Sequence, residues 1–211
     1  MLFRDRVDAG RQLAQALQSY INQPNTYVIA LPRGGVVVGH EVAIALHLPL
    51  DIVCPRKIGA PFNPELAIGA ITETGEGILS QDLIYELGIS EEYIKTIMEQ
   101  EKKKAQWRLK HYREGRPPCL LKDKCVILVD DGLATGSTMR AAIKTIRAKQ
   151  AKEIIMAVPV APRDTLTRLE KDVDKAICLA TPSAFFAVGQ FYNLFDQTTD
   201  EEVISLLKGT H

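Results

Sequence analysis

Short apolar runs alternate with amphipathic segments along the chain. Residues 26–31 (TYVIAL), 50–54 (LDIVC), 68–72 (IGAIT), 125–129 (CVILV), 153–158 (EIIMAV) and 175–180 (KAICLA) read as strands. Several are apolar at successive positions, as strands of a parallel sheet covered on both faces are. Between them, apolar residues recur at helical spacing. Leu13, Leu17, Tyr20 and Ile21 form one such stripe, Val38, Val42, Ala45 and Leu46 a second, and Met139, Ala142, Ile143 and Ile146 a third. Thr199 and Glu202 make a capping box ahead of Val203, Leu206 and Leu207. This alternation predicts an α/β fold with a central, mainly parallel sheet flanked by helices.

The stretch 75–118 breaks the rhythm. It opens on a turn, Gly75-Glu76-Gly77, and closes on Gly115-Arg116-Pro117-Pro118. Ser90, followed by Glu91 and Glu92, has the character of a helix cap with acids in the first turn. The helix it starts is apolar near its ends (Ile94, Ile97, Met98; then Ala105, Leu109, Tyr112) and polar all round in the middle, EQEKKK. We expect a helical insertion over 75–118 within a single domain spanning 1–211. It suits a lid or the arm of a homodimer, and Lys102 to Lys104 read as a solvated face.

Composition narrows the function. The chain has 211 residues, of which 46% are hydrophobic and 25% charged, so it buries an ordinary globular core. Twenty-six basic side chains balance 26 acidic ones. A protein that grips nucleic acid through its phosphates normally carries a basic surplus, so no nucleic-acid partner is expected. Cys54, Cys119, Cys125 and Cys178 form no C-x-x-C pair, and three lie in apolar runs. They read as buried thiols in a reducing compartment. No signal peptide or 18-residue apolar stretch is legible, which predicts a cytoplasmic protein with no membrane partner. His40, His47, His111 and His211 show no metal-binding or catalytic spacing.

The richest stretch is CVILVDDGLATGSTMRAAI, residues 125–143. A buried strand ends at Val129, two carboxylates follow (Asp130 and Asp131), and a small hydroxyl-rich turn leads into a helix. A helix N-terminus offers free N–H groups and partial positive charge, which suits an anion. Gly136 lets the backbone come close, and Thr135, Ser137 and Thr138 add hydroxyls, so residues 134–138 suit a phosphate monoester. The acid pair repels that phosphate and must face donors or cations; sugar hydroxyls and Mg²⁺ are the obvious candidates. The same residues also make an ordinary capped strand–helix turn. No Walker A or G-x-G-x-x-G pattern is present.

Two further strand ends carry anion donors. Leu31-Pro32-Arg33-Gly34-Gly35 precedes a helix; paired glycines permit an anion nest, and Arg33 adds a planar fork. The plainer alternative is a helix start where the glycines allow tight packing. Residues 54–57, Cys-Pro-Arg-Lys, place Arg56 and Lys57 ahead of a Gly- and Pro-containing loop, IGAPFNPELAIG, of a kind that forms mobile covers. Ligands of open α/β sheets sit beyond the carboxyl ends of strands. Phosphate donors at both ends and acids between describe phosphoribosyl pyrophosphate.

The segment Val126 to Thr138 (VILVDDGLATGST) resembles the signature of the type I phosphoribosyltransferases, and LPRGG and PRKIG resemble two further elements of that family. The resemblance covers roughly residues 26–195, and the whole chain looks like a bacterial subgroup with an unassigned acceptor. It implies a type I phosphoribosyltransferase-like fold with a small C-terminal hood. It implies a Mg²⁺-dependent transfer of ribose 5-phosphate from phosphoribosyl pyrophosphate to a nitrogenous small-molecule acceptor, such as a purine base, with release of pyrophosphate. Under the resemblance, Asp130 and Asp131 hold the ribose hydroxyls and water on Mg²⁺, and Ala134, Thr135, Gly136, Ser137 and Thr138 wrap the 5-phosphate. Arg33, Gly34 and Gly35 then grip the pyrophosphate, Lys57 reaches it from the side beside Arg56, and a cis peptide is expected at Pro32–Arg33 or Arg33–Gly34.

Residues 181–195, TPSAFFAVGQFYNLF, resemble a purine pocket, with Phe186 and Val188 against the acceptor ring. Phe185, Phe186, Phe191 and Phe195 equally read as core aromatics. Ala134 stands where 6-oxopurine enzymes carry a third Asp, so the base is left open. A sugar-donor or nucleotide sensor on the same fold is the alternative function.

Overall fold

The computed structural model describes residues 2–75 and 77–209; Glu76 of the expected turn and His211 lie outside them. Five strands form a wholly parallel sheet: β1 (Thr26–Ala30), β2 (Leu50–Ile52), β6 (Cys125–Val129), β7 (Glu153–Val160) and β8 (Lys175–Ala180), in the order β2-β1-β6-β7-β8. Three more, β3 (Arg56–Ala60), β4 (Asn63–Ile71) and β5 (Gly77–Leu79), make a separate antiparallel sheet.

Alternation along each parallel strand feeds two cores. On one face Val28, Ala30, Ile127, Val129 and Ile155 pack with α1 (Arg6–Ala16), α2 (Gly34–Leu46), the C-terminal half of α4 (Glu91–Arg113) and α7 (Asp200–Lys208). On the other, Ile29, Val126, Leu128, Ile154 and Met156 meet α5 (Ser137–Ala148) and α6 (Arg163–Leu169). Burial on both faces is why these strands lack a polar side. The caps form as their residues dictate: Ser90 Oγ accepts from the Tyr93 N–H at 3.2 Å, and Thr199 Oγ1 from the Glu202 N–H at 3.1 Å.

Two expectations change. The apolar run at 68–72 does not join the main sheet; 68–71 belong to β4 of the antiparallel sheet. The chain also leaves the parallel sheet at Arg56, well before residue 75. The loop expected at 58–69 is a hairpin, with register shifts on either side of Gly59. Helices α3 (Gln81–Glu86) and α4 follow it, and Ile94, Ile97 and Met98 of α4 pack beside Ile58, Ile68 and Ile71. The physical reason is that an apolar run is shared by buried parallel strands and by a small sheet covered by a helix.

Candidate active site

Strand order reverses between β1 and β6. β1 sends its chain to β2 through α2 on one face; β6 sends its chain to β7 through α5 on the other. A crevice opens at such a switch point beyond the carboxyl ends of the two strands. The Arg33–Gly35 turn and the Asp130–Thr138 turn both lie there, on strands paired from Thr26↔Cys125 to Ala30↔Val129.

The two turns touch. A Cβ on Gly34 would collide with Asp131 Oδ2, and one on Gly35 would sit 2.8 Å from Asp130 Oδ1. These glycines therefore make room for the acid pair, a reason beyond the nest geometry expected for them. The expected cis peptide is at Pro32–Arg33.

Helices α2 and α5 differ from the other α-helices among the described residues. Neither has an acid in its first turn, whereas α1, α3, α4, α6 and α7 all do. The N-terminal partial charge of α5 thus has no acid of its own first turn beside it, whereas that of α2 lies against the Asp130–Asp131 pair. Gly136 caps α5 at φ +77°, a left-handed conformation natural to glycine. Thr165 Oγ1 donates to the Ala134 carbonyl at 3.0 Å and steadies the turn, while the Thr135 and Ser137 hydroxyls lie 3.0 Å apart. A cavity of about 240 Å³ runs from Thr135, Gly136 and Ser137 to the chain at Ala67–Ala70 and Ile78–Ser80, with Arg140 and Arg168 at its wall.

Asp130 and Asp131 are half-buried. Burial pushes the Asp130 carboxyl well above the usual carboxylate range, and the neighbouring Asp131 charge pushes the same way. Burial also raises Asp131, against the pull of Arg6. Arg6 Nε donates to Asp131 Oδ2 at 2.7 Å, and the Tyr192 hydroxyl donates to the Asp131 carbonyl at 2.6 Å. Sequence reasoning misses both partners. Arg6 reads as one more charged residue of the N-terminal stretch, and no local signal reveals a partner 125 residues away.

The other expected residues separate. Arg33 lies 3.5 Å from Asp200 Oδ1 at the start of α7, beside a cleft lined by Gln197 and Thr199. Arg56 turns to α4, where its Nε donates to Glu101 Oε2 at 2.9 Å. Strand alternation puts Lys57 on the opposite face, across from Ala70, which lines the 240 Å³ cavity. Thr138 is half-buried in the first turn of α5. Phe186 is 91% exposed; Phe191 is buried with Phe185 against it, 5.1 Å between ring centroids, and Phe195 meets Tyr192 in a tilted ring contact at 5.0 Å. The Val188 side chain packs against Gly132. All four cysteines are free thiols, and burial pushes Cys54 up to about 12. Among the described residues, no three His, Cys, Asp or Glu side chains form a metal cage, and no helix is long and apolar enough to cross a membrane.

Residues 4–195 match the family model of the phosphoribosyl transferase domain. Two Mycobacterium tuberculosis proteins, "Putative phosphoribosyl transferase Rv0571c" of strain H37Rv and its counterpart MT0597 of strain CDC 1551, are each 43% identical over 210 residues. That alignment takes in 100% of this chain and 47% of theirs, so the chain spans about half the length of these curated relatives. The crystal structure of TT1426 from Thermus thermophilus superposes with a TM-score of 0.83 at 39% identity, covering 100% of this chain and 99% of that one. With its strand-end turns meeting at the switch point and its sequence matched from residue 4 to 195, the chain belongs to the phosphoribosyltransferase family.

Proposed function

We propose that the chain transfers the ribose 5-phosphate group of phosphoribosyl pyrophosphate to a nitrogenous small-molecule acceptor. The acceptor nitrogen bonds to C1 of the sugar, the bond from C1 to the pyrophosphate oxygen breaks, and the nitrogen's proton passes to solvent. The observation that carries this reading is the meeting of two acid-free helix starts with a half-buried acid pair at one switch point. The turn at 134–138 takes the 5-phosphate and the Gly34–Gly35 turn takes the pyrophosphate, with Lys57 reaching towards it from the strand face that borders the 134–138 cavity. Arg33 gives up its 3.5 Å partner Asp200 for phosphate oxygens, which suit its planar fork better. The exposed Phe186 ring offers a stacking surface to the acceptor.

Asp130 and Asp131 suit Mg²⁺. Burial makes both carboxylates costly to leave ionised alone, so a cation relieves them. Two neighbouring carboxylates would leave the rest of such an ion's shell to ligand oxygens and water. Such an ion, when bound, would neutralise charge on the departing pyrophosphate. The acids themselves hold the ribose hydroxyls and favour the positive charge that develops on the ring.

The experiment is a panel of purine and pyrimidine bases with phosphoribosyl pyrophosphate and Mg²⁺. Pyrophosphate should appear with at least one base and depend on it. Tight donor binding with no turnover on any acceptor would reject transfer in favour of a sensor.

A further inference from the structure

The N-terminal helix brings a cation into the acid pair. Arg6 is the first residue of α1, and three contacts fix its guanidinium. Nε donates to Asp131 Oδ2 at 2.7 Å, Nη1 donates to the Asp196 main-chain carbonyl at 2.7 Å, and the group lies 3.8 Å from the centre of the Phe195 ring. Only 12% of the Arg6 side chain is exposed. The same guanidinium borders the pyrophosphate turn, since a Cβ on Gly34 would stand 2.6 Å from Arg6 Nε.

The form of the ion pair matters. Arg6 meets Asp131 through one nitrogen and one oxygen rather than a two-bond fork, so the second carboxylate oxygen is not committed to it. The Asp131 backbone is held separately by Tyr192. Main chain and carboxylate are thus each fixed by a different residue.

We propose that Arg6 is a positioning residue that sets the sugar selectivity of the site. By holding Oδ2 of Asp131, it keeps the other oxygen in one orientation as the acceptor for a ribose hydroxyl. This rests on the reading of Asp130 and Asp131 as the acids that hold the ribose hydroxyls. A carboxylate fixed in place rejects a sugar lacking that hydroxyl, because the site's polar group is then left unpaired. A carboxylate free to rotate finds water or another hydroxyl and discriminates poorly.

Calorimetric binding of ribose 5-phosphate, its 2-deoxy and 3-deoxy analogues, and inorganic phosphate to the whole chain tests this. The wild-type chain should prefer ribose 5-phosphate to at least one deoxy analogue by about tenfold, the size of one lost hydrogen bond to a charged group. Arg6→Gln should bring that ratio within about threefold, a larger change than in the binding of inorganic phosphate, and Arg6→Lys should restore part of the ratio. A ratio kept in Arg6→Gln overturns the inference and leaves the acid-pair reading standing. Parallel weakening of all four ligands also overturns it, because that is the mark of structural support alone. No preference in the wild type sinks the acid-pair reading itself, and the inference with it. Should Arg6→Gln fail to fold, Phe195→Leu removes the ring beneath the guanidinium and should lower the ratio part-way; an unchanged ratio then counts against the inference.

Discussion

Two arginine–aspartate pairs sit at similar depth in this protein and do different work. Arg113, the last residue of α4, grips Asp51 of β2 with two parallel bonds of 2.9 Å. Arg113 also donates to the Ile52 carbonyl, and Asp51 accepts the Ile52 and Cys119 N–H groups. Arg6 and Asp131 share one bond and stand beside a second acid. Side-chain exposures are 11% and 10% in the first pair, 12% and 15% in the second. Depth therefore does not separate them; saturation does. A carboxylate whose oxygens are all taken ties α4 to the sheet. In the second pair the bond to Arg6 takes one oxygen and leaves the other beside a like charge, and it is this oxygen that the proposed function gives to a ligand.

The largest expected effect breaks the saturated pair. Asp51→Ala leaves Arg113 buried without its counter-charge, and urea denaturation should show a loss of about 3–5 kcal/mol. Gly34→Ala attacks the second pair through the backbone. The new methyl collides with Asp131 Oδ2, and calorimetry should record more than roughly tenfold weaker binding of phosphoribosyl pyrophosphate while the protein stays folded. Asp131→Asn removes one charged contact worth roughly 1.5–3 kcal/mol, so turnover on a true acceptor should fall about tenfold or more. An unchanged rate would contradict its assigned role.

Asp130→Asn has the smallest effect and the opposite sign. The raised Asp130 carboxyl binds its proton more tightly folded than unfolded, so ionisation costs stability at neutral pH. That cost fades as pH falls through the raised value towards about 3.9, the ordinary aspartate value. The amide oxygen of the substituted side chain can still accept the Asp131 N–H, as the Asp130 carboxylate does. Urea melts should show a gain of about 1 kcal/mol at about pH 7.5, shrinking to nothing near pH ~4. A loss at both pH values would mean that Asp130 is a structural acid like Asp51.

Legibility follows the range of the interactions. Strands at 125–129 and 175–180 read correctly to the residue; the first because burial on both faces writes an unbroken apolar run, the second because its half-buried edge position still keeps Ala176 to Ala180 apolar. The turns after β1 and β6 are legible because glycines, hydroxyls and acids must stand at fixed offsets there. The β3–β4 hairpin is not. Pro61 and Pro64 look like loop residues, and the irregular register around Gly59 erases period-two alternation. Arg6 and Tyr192 leave no trace either, since their value comes from contacts made only after the sheet has formed.

The ladder between Thr26↔Cys125 and Ala30↔Val129 carries one more consequence. It fixes the strand ends that carry the two halves of the proposed ligand cradle to each other directly, by neighbouring main chains, so their spacing does not depend on the length of polypeptide between them. Within that polypeptide α2, β2 and the end of α4 are bound into the core, so only the segments outside them are open to being lengthened, shortened or exchanged over evolutionary time. New partners and new coverings can therefore be tried there without retuning the machinery at the strand tips.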